Sequence, residues 1–133
     1  MNNTSQGIIG ELNTAWDNGS TFIIMANLTA TNFLFGDHNS QYVLANTPSP
    51  SIGSWNHFTL VTDRTGKTVK IYLNGVLKTT MTTNNIGSFG NYILYIGQRG
   101  GSSLGFNGSI TLLKMVNYPF TATEVTNLYN SEV

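Results

Sequence analysis

Six acidic side chains, Glu11, Asp17, Asp37, Asp63, Glu124 and Glu132, bound the acid–base chemistry open to this chain of 133 residues. Glycosidic hydrolysis needs an acid and a second carboxylate flanking one bond. No two of these acids lie within five residues of each other, and Asp63 falls in a turn, Glu124 in a helix cap and Glu132 near the chain end. The chain has two histidines, no cysteine and no Gly-x-Ser-x-Gly elbow, which leaves neither a nucleophile–base pair nor a thiolate metal set. We expect no catalytic residue and no enzymatic activity. His57, with no acid or nucleophile beside it in sequence, reads as a hydrogen-bonded structural residue. Thr65-Gly66-Lys67-Thr68 looks like the end of a phosphate-binding loop, but that loop needs a glycine where Val61 stands and a helix after it. The chain instead continues as "VKIYLNG", whose Val69, Ile71 and Leu73 alternate with Lys70 and Tyr72 as in a half-buried strand.

Ligand recognition asks for different residues. Stacking on a sugar needs an exposed aromatic face, with amides, carboxylates or a guanidinium to read hydroxyls. Two loops offer that mixture, "AWDNGS" with Trp16, Asp17 and Asn18 and "GDHNSQY" with Asp37, His38, Asn39 and Tyr42; "GQRGGSSLGFN" adds Arg99 on a Gly-rich loop. The glycines of the last lack the spacing and following helix of a dinucleotide site. Trp55, at a strand start, is expected to anchor a core or a sheet edge.

Composition narrows the partners. Charged residues make up 9% of the chain against about 25% in an average globular protein, and six basic side chains balance six acidic ones. Scattered cations cannot neutralise a phosphate backbone, so nucleic acid is not expected as a partner. A surface of Thr, Asn, Ser and Gly desolvates cheaply and suits close contact with a neighbour. The N-terminus lacks the basic and apolar regions of a signal peptide, and no segment has the length to span a bilayer, so membrane insertion is not expected.

The elements that must position these residues are strands. "TFIIMANLT", "TNFLFGD", "SQYVLANT", "HFTLVT", "TVKIYL", "VLKTTMTT", "NYILYIG" and "GSITLLKMVN" succeed one another, separated by turn residues. Asn74-Gly75 marks a type I′ hairpin turn, and Asp63 to Lys67 a tight turn in which Gly66 is free to take positive φ. Gly97 and Gly108 mark bends or close backbone approach. Near the C-terminus Thr121 can cap a helix over 122–130, with Glu124 reaching back, Phe120 stapled to Val125, and Val125 and Leu128 pinning it to a sheet edge. This pattern predicts an all-β chain of two packed antiparallel sheets with one short C-terminal helix.

Ordered landmarks carry a resemblance: Trp55-x-His57-Phe58-x-Leu60, Tyr72-Leu73-Asn74-Gly75, Tyr95-Ile96-Gly97, Phe106-x-Gly108-x-Ile110 and Thr121-x-x-Glu124-Val125-x-x-Leu128-Tyr129. The chain resembles the laminin-G-like branch of the concanavalin A-like jelly rolls over residues 55–130, while residues 1–54 match only as generic strands. The resemblance implies a single domain over 1–133, a two-sheet antiparallel jelly-roll sandwich of about a dozen strands. Members mostly recognise glycans, proteins or surfaces, and their hydrolases space acids along one strand, which this chain does not. Many relatives hold one calcium ion where an acidic residue comes after the Phe-x-Gly-x-Ile landmark. Here Thr111 stands there, and Asp17 and Asp37 would serve calcium only if the fold brought them together. The expected function is a non-catalytic module that binds a glycan or glycosylated surface through rim loops, outside the cell or on a virion. The alternative is a structural virion component, a capsid decoration or fibre subunit, or a protein–protein adhesion domain that assembles as a homo-oligomer or on a particle, since zero net charge removes the repulsion that keeps chains apart.

Overall fold

The computed structural model describes residues 5–12, 22–27, 32–36, 42–46, 50–51, 53–82, 93–98 and 105–133. Among them run β1 (Ser5–Leu12), β2 (Phe22–Asn27), β3 (Asn32–Gly36), β4 (Tyr42–Asn46), β5 (Phe58–Asp63), β6 (Thr68–Leu73), β7 (Val76–Thr82), β8 (Ile93–Ile96) and helix α1 (Ala122–Glu132). The chain is thus mostly β, with two antiparallel sheets and one short C-terminal helix, as the sequence pattern predicts. Two compact units divide it: Met1–Ser49 with Gly87–Leu113, and Pro50–Ile86 with Lys114–Val133.

The first unit holds a five-stranded sheet in the order β4-β3-β2-β1-β8. Strand β1 has no counterpart in the expected series. Its pairing with β2 shifts between Gly7↔Met25 and Ile9↔Ile24, so Ile8 is a bulge, and the two glycines of "QGIIGEL" further blur the alternation that would betray a strand. The bulge has a use. The Ile8 carbonyl accepts the Gly97 amide at 2.7 Å just past the end of β8, and the Gly97 carbonyl accepts the Phe106 amide at 2.8 Å. Gly97 has φ +74, and a Cβ on Gly108 would lie 2.7 Å from Phe106 Cε1, so both glycines mark bend and close approach as expected.

The expected strand over "GSITLLKMVN" does not form. Residues 109–116 carry no ladder, and Leu112 has φ 51, a left-handed conformation that turns the chain out of the extended path a strand needs. Ile110, Leu113, Met115 and Val116 are exposed along it. Alternating apolar residues favour a strand only where a partner supplies the ladder.

The second unit is the three-stranded sheet β5-β6-β7 with α1. Asn74 (φ 53) and Gly75 (φ 73) form the expected I′ turn between β6 and β7. The β5–β6 turn corrects the sequence reading: positive φ falls on Lys67 (φ 54), not on Gly66. Gly66 instead lets the Asp63 carboxylate fold closely over it. Its amide donates to Asp63 Oδ1 at 2.9 Å, and a Cβ there would stand 2.5 Å from Asp63 Oδ2. A lysine at positive φ is strained, so Lys67→Gly should stabilise the chain by roughly 1 kcal/mol, whereas Lys67→Ala should leave it within about 0.5. Urea melts of the two variants check this.

Period-two alternation gives the sheet two different faces. Val69, Ile71 and Leu73 are buried on one; Thr59 and Tyr72, directly opposite each other, share the other with Val61. Val61 and Tyr72 cluster with Val125 of α1, and Phe120 packs against them. The helix therefore lies on the β5–β6 face, not at a sheet edge, and Leu128 is only half-buried. Its start is as expected. The Glu124 amide donates to Thr121 Oγ (3.2 Å) while the Thr121 amide donates to Glu124 Oε2 (2.7 Å), a reciprocal capping box. Among the described residues no helix is long and apolar enough to cross a membrane.

Candidate functional site

Two features of the second unit place chemistry-bearing side chains in defined positions. The first is the connection leading into β5. Asn56 holds it together from within: its Nδ2 donates to the carbonyls of Ser51 and Ser54, both at 2.9 Å, and its Oδ1 accepts the Ser51 amide at 3.2 Å. Gly53, at φ +80 with nothing within 4 Å of a Cβ, allows the reversal. Trp55 does not anchor a core or an edge: its residue is 71% exposed. Because Asn56 turns inward to satisfy the loop backbone, the neighbouring indole is left facing solvent.

The second feature is a polar clasp around His57. The His57 amide donates to Asn74 Oδ1 and the Asn74 amide to the His57 carbonyl, both at 2.8 Å, so the I′ turn is stitched to the entry of β5. The ring is held as well. Its Nε2 lies 3.4 Å from Glu132 Oε2, its Nδ1 3.5 Å from Thr59 Oγ, and its centroid 5.7 Å from that of Tyr129. Lys114 Nζ donates to the other oxygen of Glu132. His57 thus has polar partners, as expected, but its acidic partner comes from the far end of the chain, where sequence proximity could not reveal it.

Glu132 closes a helix that has no basic residue in its last turn, so the helix dipole opposes its charge. The Lys114 ammonium supplies the compensation and, with a smaller contribution from His57, holds the Glu132 carboxyl below the ordinary range against the opposing effect of desolvation. Glu124, at the other end, is lowered by hydrogen bonds from the Thr121 amide and hydroxyl. Both acids release protons more readily in the folded chain than in the unfolded one. Their contribution is complete above the ordinary glutamate value, about 4.3, and is lost as pH falls through the depressed folded values. We expect helix ellipticity to fall in acid below about pH 4. Glu132→Gln should be less stable than the parent at neutral pH, and the gap should close as the acid titration proceeds; paired urea melts at the two ends of the range measure it.

Of the residues selected from sequence, Trp16, Asp17, Asn18, Asp37, His38, Asn39 and Arg99 lie outside the described residues. Tyr42 opens β4, paired with Gly36 of β3. Sequence reasoning passed over Trp55 as a surface residue. The signal was present in "TPSPSIGS", a loop-forming run without a charged residue that ends immediately before it. Calcium finds no support among the described residues, which contain no group of three His, Cys, Asp or Glu side chains able to hold a metal ion; Thr111 brings no carboxylate.

Compared with known families, the chain matches the one described as the concanavalin A-like lectin/glucanases superfamily, Laminin_G_3, over residues 2–126. The chain belongs to this superfamily. The match bears out the laminin-G-like resemblance read from the later landmarks and carries it across the first 54 residues, where the sequence offered only generic strands. Among solved structures, this laminin-G-like chain is similar to residues 221–444 of an S-layer domain-containing protein from Clostridium thermocellum ATCC 27405, at 18% identity and a TM-score of 0.46. The alignment covers 97% of this chain and 65% of that one, so the chain spans under two thirds of its length. No curated protein matches the chain.

Proposed function

We propose that the chain is a non-catalytic recognition module, a single domain that binds a glycan or glycosylated surface outside the cell or on a particle. The observation that carries this reading is membership of a lectin/glucanase superfamily over nearly the whole chain. Between the two activities in that description, the commitments of Asp63, Glu124 and Glu132 favour binding. Asp63 caps its own turn, Glu124 closes the capping box and Glu132 is held between Lys114 and His57. A retaining or inverting hydrolase needs two carboxyl groups free to face one bond. Trp16, Asp17, Asn18, Asp37, His38, Asn39, Tyr42 and Arg99 are the residues we assign to the ligand, on chemical type. A glycan array followed by calorimetric titration tests the reading: we expect binding at millimolar ligand or tighter, weakened by Trp16→Ala. Silence across the array would overturn it.

A second reading, assembly with other protein chains, draws on β8, the edge strand of its sheet among the described residues, where Ile93, Leu94 and Ile96 are exposed. Sedimentation distinguishes the two. A defined oligomer without sugar binding favours assembly, and a monomer at high concentration counts against it.

A further inference from the structure

We propose that Trp55 is a stacking platform for the apolar face of a neutral pyranose, so that Trp55 with Ser51, Ser54 and the Asn56 that holds them is a sugar subsite in its own right. The proposal rests on the glycan-binding reading and adds a site to it. Three observations carry it. Tryptophan is the largest apolar side chain, and leaving 71% of this residue in water forgoes burial that a core position would have secured. The loop that presents it is built and not slack: one amide, Asn56, makes three hydrogen bonds within it, so little ordering remains to be done when a ligand arrives. The loop itself carries no charge. "PSIGSWN" has no charged residue, and the exposed Ser51 and Ser54 supply hydroxyls on the same short segment.

That combination fits one class of ligand. A pyranose presents axial C–H groups to the electron-rich face of the ring and equatorial hydroxyls to polar groups at its rim. An anionic sugar would find no cation within this loop, and among its described residues an apolar peptide would find one exposed large apolar side chain, Trp55. The structural alternative, an anchor for the start of β5, is already filled by other groups: the paired backbone bonds between His57 and Asn74 hold that point, and Trp55 takes no part in them.

The test uses the full chain and two substitutions, Trp55→Ala and Trp55→Phe, made in the parent and in Trp16→Phe. Cellotetraose, maltotetraose and mannotetraose are the probes. In Trp16→Phe the remaining indole is the sole tryptophan reporter, and we expect a bound tetrasaccharide to shift its emission and shield it from iodide. Trp55→Ala should weaken calorimetric binding at least about tenfold, Trp55→Phe should fall between, and neither should move the thermal melt appreciably. Unchanged binding by Trp55→Ala would overturn the proposal while leaving the glycan reading on the other loops. Early melting of Trp55→Ala would show the indole to be a structural anchor and overturn it too. If the parent binds none of these neutral sugars the proposal falls; the wider reading falls only if the full array, acidic glycans included, is also silent.

Discussion

Replacing Gly75 by valine should cost about 2–4 kcal/mol, the largest loss we expect from any turn position. Two effects combine there. At φ +73 a β-branched side chain is strained, and a Cβ would lie 2.9 Å from Cδ1 of Tyr129, with Cγ and Cβ of the same side chain at 3.1 and 3.2 Å. Tyr129 cannot easily yield, because its ring stands over His57, and the Thr126 hydroxyl of the same helix, which donates to the Ala122 carbonyl at 3.1 Å, lies 3.4 Å from the Gly75 carbonyl. Gly53→Val is the control. That glycine has φ +80 but open space around it, so only the conformational part, about 1–2 kcal/mol, should be lost. Thermal melts should therefore place Gly75→Val lower by roughly 10 °C and Gly53→Val by about half as much. Equal losses at the two positions would mean that the helix does not press on the turn.

Tyr72→Ala should cost about 3–4 kcal/mol and loosen the helix in particular. The side chain is almost wholly buried, on the middle strand of the sheet, in the cluster that also holds Val61 and Val125. Removing the ring leaves a cavity beneath Val125, which is fully buried and is the only buried residue of α1. A helix of eleven residues cannot persist on propensity alone, so its attachment depends on this small apolar contact. The prediction is checked by a double-mutant cycle. Tyr72→Ala and Val125→Ala should each destabilise the chain, and their effects should fall short of additivity by at least about 0.5 kcal/mol, since both empty the same space. Strict additivity would place the two side chains in separate environments.

How much of the fold and site was legible in the sequence depended on the range of the interaction concerned. The Asn-Gly turn, the capping box at Thr121 and the alternation of Val69, Ile71 and Leu73 are local: each is set by residues within a few positions of one another, and each is found where the sequence puts it. The superfamily was legible for a related reason, because its landmarks are such local features kept in order. Features that rest on a partner supplied from elsewhere were not. Strand β1 exists because β2 and β8 pair on either side of it, although its bulge and glycines hide the period. The apolar alternation at 109–116 found no ladder, and Leu112 left the extended region. Positive φ falls on Lys67 and not on Gly66, whose amide donates to Asp63. Sequence could show that His57 has no acidic neighbour along the chain, but only the fold brings Glu132 and Lys114 to it, and only the inward turn of Asn56 decides that Trp55 faces water. Local propensity acts through the backbone dihedrals of adjacent residues, whereas side-chain exposure and charge pairing are set by whatever the folded chain places across the gap.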